Sequence, residues 1–404
     1  MGYSLAPDKT FLPYARQQID GDDIEAVNSV LRADYLTTGP ATEAFEAELA
    51  NITGAAHAIS CSSGTAALHL AALALELGPG DKVIVPTITF LATANAARFV
   101  GAEVVFSDVD PATGLMTPEN LERVLEREGK SLKAVFPVHL AGQIPDLPAI
   151  SQIAREQKLA IVEDASHAIG AVYSRGNDDV SAGSCSDSDM TIFSFHPVKT
   201  IVMGEGGAVT TNDSALADRA ALLRNHGMSR NPDAFVQPDM AFDAAGDANP
   251  WYYEMAEIGY NYRVSDIHCA LGLSQLGKLA RFVDRRRELA ACYDELLAPL
   301  APLLKPISRQ AGCRPAWHLY TVLIDFDNAG ISRADLMRRL RAQDVGSQVH
   351  YIPVHRQPYY LDRYGDLELP GADAYYARTL SLPLFTGMTD ADVERVVENL
   401  TSLL

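Results

Sequence analysis

The sequence predicts an α/β protein in which a mostly parallel sheet, covered by helices on both faces, precedes a smaller α+β unit. Three observations carry this. Short apolar runs alternate with helical stretches from about residue 41 to 205, the rhythm changes after about residue 265, and 404 residues suffice for more than one packed unit. The first helix is predicted over 42–52, where Phe45, Leu49 and Ile52 share one face. A strand over 58–61 and an Ala- and Leu-rich helix over 65–77 follow. Next come a strand at 82–86, a helix at 92–100, and strands at 103–107 and 133–138. A helix at 149–157 and a strand at 160–162 continue the alternation, which implies βαβ crossovers.

Beyond residue 265 one long helix is predicted over 265–297, with Ser265 as N-cap and Asp266 as a first-turn acid. Pro299 cannot continue it. Strands at 319–324 and 348–352 and helices at 333–342 and 390–400 complete the smaller unit. The expected division is a large domain at 11–255, then a linking helix and small domain at 256–404. Stretches 174–187 and 229–250, rich in Gly, Asp, Pro and Ser, read as long loops.

Charge narrows the function. The chain has 33 basic and 52 acidic residues, a net charge of −19, so nucleic acid and anionic membrane are not expected partners. Five scattered cysteines with no C-x-x-C pair point to a reducing compartment. The N-terminus places Asp8 and Lys9 where a signal peptide needs an apolar run, and Ala6 breaks a myristoylation motif. No apolar stretch approaches a membrane span, so a cytoplasmic protein is expected.

Several common motifs fail. Gly204-Glu205-Gly206-Gly207 starts like a dinucleotide fingerprint, but Val209 stands where its last glycine belongs. There is no P-loop, no G-x-S-x-G elbow and no H-E-x-x-H. His350 and His355 lie five apart without a neighbouring carboxylate, so no metal is expected.

Three segments place polar residues where a strand ends. Ser62-Ser63-Gly64-Thr65 opens the Ala-rich helix, where free N–H groups can receive a phosphate; an ordinary Ser/Thr cap would look the same. Ile161-Val162-Glu163-Asp164-Ala165-Ser166-His167 delivers Asp164 at the carboxyl end of a strand. There it can hold a protonated ring nitrogen or merely cap a turn, and His167 alone reads equally as a structural histidine. The third segment runs Phe193-Ser194-Phe195-His196-Pro197-Val198-Lys199 and then enters the Gly204 turn. Burial of Lys199 would lower its pKa and free the amine to react with an aldehyde. A phosphate cradle, an acid for a ring nitrogen and an amine are together what pyridoxal phosphate requires.

The stretches SSGTAALHLA, VEDASHAIGA, FSFHPVK with GEGGAV, and GYNYRVSDIHCALGLSQL resemble the DegT/DnrJ/EryC1/StrS nucleotide-sugar aminotransferases. The resemblance implies a fold of the aspartate-aminotransferase type (fold type I), pyridoxal 5′-phosphate as cofactor, and a homodimer with shared active sites. The stretches FLPYARQQID, PWYYEMAEIGYNYR and QVHYIPVHRQPYY further imply that the substrate is a UDP-linked 4-keto sugar of pseudaminic acid biosynthesis, with L-glutamate as donor. By the same resemblance Lys199 is the Schiff-base lysine and Asp164 the partner of the pyridine nitrogen. Phe90 stacks on the ring, Gly64, Thr65 and Ser194 meet the cofactor and its phosphate, and His167 stands beside it. Asn261 reaches the neighbouring subunit's site. Tyr14, Tyr35, Leu36, Thr37, Ile352, Pro353, Val354 and His355 match the sugar-nucleotide side. A GDP-linked 4-keto sugar is the alternative substrate, and a ligand-sensing protein on the same fold the alternative class. Sugar dehydratases related to the family carry histidine where this chain has Lys199.

Overall fold

The computed structural model describes residues 11–128 and 131–404. The N-terminal reading that relied on Ala6, Asp8 and Lys9 lies outside them. Helix α1 (Gly21–Leu31) starts at a capping box in which Asp20 and Asp23 satisfy each other's backbone N–H groups. Helix α2 (Pro40–Thr53) begins on a proline and stops at Gly54, whose φ of 79° suits glycine. Strand β1 (His57–Cys61) then feeds α3 (Gly64–Ala74), nearly all of whose residues are buried. Small Ala side chains let α3 lie close beneath the sheet.

Strands β2 (Lys82–Pro86), β3 (Glu103–Ser107), β4 (Leu132–Val135) and β5 (Ala160–Asp164) alternate with α4 (Leu91–Phe99), α5 (Pro118–Glu128) and α6 (Leu147–Glu156). A polar hairpin, β6 (Val172–Arg175) and β7 (Asp178–Ser181), precedes β8 (Met190–Ser194), β9 (Gly207–Thr211) and α7 (Ser214–Arg224). The main sheet has seven strands in the order β1-β9-β8-β5-β4-β2-β3. Pairs from β8 through β3 are parallel, and β9 is antiparallel to both neighbours. Strand β5 sits near the centre, with Asp164 beside Ile192 of β8. The carboxyl ends of β1, β5 and β8 therefore open on one rim.

The chain over 265–297 is two helices, α8 (Asp266–Leu276) and α9 (Leu279–Leu297). Ser265 does cap the first, accepting from the N–H of His268. The break falls at Gly277, a weak helix former, and Lys278, whose amine is drawn to Asp20 and Asp23 of the α1 cap. Helix α9 ends at Leu297, before Pro299.

The stretch 174–187 is not all loop. It holds most of the β6–β7 hairpin, which Cys313–Arg314 joins as a third strand. Those strands expose Ser174, Arg175, Asp178 and Asp179, so no apolar alternation marks them. Among the described residues, the stretch 348–352 makes one ladder contact, Gln348 with Ser381. Pro353 has no N–H to extend a ladder, and His350 reaches Ser381 through its ring instead. The stretch 229–250 is mostly irregular, with short helical turns at Pro232–Ala234 and Pro238–Ala241, and short strands at Met228–Ser229 and Glu254–Met255 pair across its ends.

A second sheet combines Leu304–Pro306, Tyr320–Ile324 and Thr379–Leu382, flanked by Arg333–Ala342 and Asp390–Leu403. The N-terminal segment crosses to this unit: the N–H of Leu12 donates to the carbonyl of Asp344, and that of Leu384 donates to the carbonyl of Tyr14. Tyr14 is thus carried by the smaller unit and faces the rim of the larger one.

Candidate active site

Alternation along β5 sends neighbouring acids to opposite faces. Glu163 is buried against the hydroxyls of Ser188 and Thr191 and lies 3.1 Å from Nε2 of His139. Asp164 turns to the cleft. Its backbone is fixed on both sides, donating to the carbonyl of Pro137 and accepting from the N–H of His139. Its carboxylate accepts from the Thr93 hydroxyl at 2.6 Å and from the N–H of Ser166 at 3.1 Å. These two bonds leave the carboxylate acceptor capacity on the side where Asp164 lines the cleft.

Lys199 follows β8 in a loop closed by backbone bonds from Phe195 to Gly206 and from Met203 to Phe195. Desolvation in the cleft pushes its amine down from 10.5 to about 8, although Asp164 pulls the other way. Helix α3 aims its N-terminus at the same space. Ser63 caps it by accepting from the N–H of Ala66, leaving the N–H groups of Gly64 and Thr65 with no partner inside the helix. A Cβ on Gly64 would lie 2.8 Å from that of Ser194, and one on Gly207 only 2.3 Å from the carbonyl oxygen of Ser63. Both glycines let the β1–α3 turn settle against β8 and β9.

Histidines and aromatics form the remaining wall. The His167 ring packs 4.4 Å from that of His318, and its Nε2 is 3.2 Å from the Tyr351 hydroxyl. Nδ1 of His167 is buried without a hydrogen-bond partner among the described residues. Burial, then the charge of Lys199, keeps His350 down at about 3, and burial drives His167 and His318 well below the ordinary range. All three are neutral near pH 7. Phe90, at the start of α4, lies 6.1 Å from the Tyr351 ring. The cleft, open to solvent at its mouth, measures about 510 Å³.

A helix N-terminus with free N–H groups, a carboxylate and a lysine amine thus converge in one cleft. The family model of the DegT/DnrJ/EryC1/StrS aminotransferase family matches residues 17–401. The chain belongs to this family. It is 39% identical over 391 residues, 96% of each chain, to the spore coat polysaccharide biosynthesis protein SpsC of Bacillus subtilis (strain 168). Among solved structures it resembles Helicobacter pylori PseC, an aminotransferase involved in biosynthesis of pseudaminic acid, with TM-score 0.86 and 28% identity. That likeness covers 97% of this chain and 99% of the other. It also resembles the PLP-form of the putative sugar aminotransferase Spr1654 from Streptococcus pneumoniae, with TM-score 0.85, 27% identity and coverage of 97% and 98%. The protein is a sugar aminotransferase of fold type I.

Within this aminotransferase the residues singled out from sequence divide into groups. Tyr14, Gly64, Thr65, Phe90, Asp164, His167, Ser194, Lys199 and Ile352 line the cleft. Val354 and His355 do not: both are buried, the N–H of Val354 on the Thr87 carbonyl and Nδ1 of His355 on the Thr87 hydroxyl. Pro353 is buried in the turn that leads to them. Tyr35 and Leu36 are exposed on the surface, and Thr37 bridges Ser265. Asn261 is exposed and bridges Asn225, away from the lining of its own cleft.

Other lining residues escaped sequence reasoning: Thr89, Glu205, His318, Gln348, His350 and Tyr351. Tyr351 and His350 stand within the HYIP stretch, whose extended, non-ladder backbone presents side chains in an order that strand alternation does not give. Thr93 was hidden as one small residue among alanines in the first turn of α4.

Proposed function

We propose that this aminotransferase moves the amino group of L-glutamate to C4 of a UDP-linked 4-keto-6-deoxy-N-acetylhexosamine, the reaction type used in pseudaminic acid biosynthesis. Its cofactor on this reading is pyridoxal 5′-phosphate. The observation that carries the reading is the convergence of Lys199, Asp164 and the α3 N-terminus in one cleft. The residues fit the cofactor. The glycine at position 64 keeps open a space beside Ser194 that a Cβ would fill, and the unpartnered Nδ1 of His167 supplies a polar group for a ligand.

The N–H groups of Gly64 and Thr65 and the Ser194 hydroxyl would receive the phosphate. Asp164 would hold the ring nitrogen protonated, and Phe90 would cover one face of the ring. When bound, pyridoxal phosphate supplies an electron sink conjugated to the carbon that carries the amine. Lys199, with its amine at about 8, holds or gives up a proton at Nζ close to neutral pH, as a general base and acid must. The neutral histidines add no charge to compete with it. Tyr14, Tyr351 and Ile352 give the mouth an apolar and aromatic wall suited to a sugar face.

Among the described residues, Lys199 is the one Lys or Arg lining the cleft, while donor and nucleotide sugar are both anionic. We therefore read the working unit as a homodimer in which Asn261 and the exposed 228–263 segment serve the neighbouring site. Purified protein with pyridoxal phosphate and L-glutamate, offered a panel of 4-keto nucleotide sugars and read by mass spectrometry, tests the reading. The UDP-linked N-acetylated sugar should gain the amine fastest. A preference for a GDP-linked sugar, or no transfer to any, would overturn it.

A further inference from the structure

We propose that Thr93, backed by Thr89, is a positioning residue that keeps the Asp164 carboxylate ionised and aimed at the cofactor ring nitrogen. This rests on the reading of the cleft as a pyridoxal-phosphate site. Thr93 is fully buried at the third position of α4 and does not line the cleft, so it acts only through Asp164. Its single hydroxyl proton goes to Oδ2 of Asp164 at 2.6 Å. In its other contact, 2.7 Å from the Thr89 hydroxyl, the Thr93 oxygen must then accept and Thr89 must donate.

While Oδ2 carries no proton the relay runs from Thr89 to Thr93 to Asp164. A proton on Oδ2 would reverse the chain, Asp164 donating to Thr93 and Thr93 to Thr89, and would forfeit the stronger charge-assisted bond that the ionised carboxylate receives. The N–H of Ser166 holds Oδ1 from the other side. Thr93 is β-branched and helical, so its rotamer is restricted before the bond forms. Of the groups that fix the carboxylate, Thr93 is set back from the cleft lining, whereas Thr89 and Ser166 belong to it.

The test titrates purified apoprotein with pyridoxal phosphate and follows cofactor absorbance. Thr93→Val keeps the shape and removes the donor. It should raise the apparent Kd for pyridoxal phosphate about tenfold and shift the acid limb of the absorbance-pH titration up by about one unit. Thr93→Ser restores the donor and should stay within about twofold of wild type on the same principle. In an Asp164→Asn background, adding Thr93→Val should cause no further loss. A further tenfold loss there would mark a merely structural role and overturn the proposal, as would Thr93→Val binding and titrating like wild type. If Thr93→Val does not fold, Thr89→Val, which removes the outer donor at a residue that itself lines the cleft, should move both readouts in the same direction in wild type and neither in the Asp164→Asn background; no movement in the first, or a further loss in the second, overturns the relay. Wild-type protein that fails to bind pyridoxal phosphate at all would instead overturn the reading of the site.

Discussion

At the scale of single residues, the lysine decides the chemistry. An exposed lysine amine holds its proton until about pH 10.4, whereas burial brings Lys199 to about 8. The rate at which apoprotein takes up pyridoxal phosphate should follow the neutral amine. It should rise with pH through a midpoint near 8 and level off above it; a midpoint near 10 would mean that the cleft does not desolvate this amine. Lys199→Ala should lose the near-visible absorbance of bound cofactor and essentially all turnover, while retaining a melting temperature close to that of wild type. Retained turnover would remove Lys199 from the chemistry. Sequence made Lys199 and Asp164 legible because each follows an apolar strand. Thr93, His318 and Tyr351 were not legible, since nothing local says which strand end a helix turn or an irregular segment will face.

At the scale of elements, the cradle depends on how closely the β1–α3 turn approaches β9. A Cβ on Gly207 would sit 2.3 Å from a backbone oxygen, so the strand or the turn must shift. Gly207→Ala should cost about 1–3 kcal/mol in a denaturant melt, in the range of other overpacked sites, and should weaken pyridoxal-phosphate binding as well. Gly21→Ala, with nothing within 4 Å of the added carbon, is the control and should change neither. The sequence located the parallel strands within a few residues, because each is a short apolar run between turn residues. It missed the break at Gly277–Lys278, where the pull on Lys278 comes from Asp20 and Asp23, some 255 residues earlier in the chain. It also missed the β6–β7 hairpin, whose polar strands carry no period-2 signal. The break was dictated by partners distant in sequence, whereas the hairpin pairs locally and was hidden by its polar faces.

At the scale of the whole molecule, the net charge of −19 works against small anionic substrates, so capture must rest on local groups rather than on a long-range field. The segment preceding Asn261 carries large apolar side chains outward, with Val236 at 78%, Trp251 at 73% and Ile258 at 79% exposure. Its own aromatic contacts, Phe235 with Tyr252 and with Phe242, hold it together without covering those residues. Exposed apolar side chains rimmed by acids are what a second copy of the chain would bury. Trp251→Asp with Ile258→Asp should convert a dimer to a monomer in sedimentation and abolish turnover. Subunit mixing tests whether the site itself is shared. If Asn261 serves the neighbouring cleft, Lys199→Ala and Asn261→Ala, each inactive alone, complement each other. Half of the randomly mixed dimers are then hybrids, and each hybrid has one intact site, restoring about a quarter of wild-type activity. No recovery, in a mixture shown to exchange subunits, would confine each active site to its own chain.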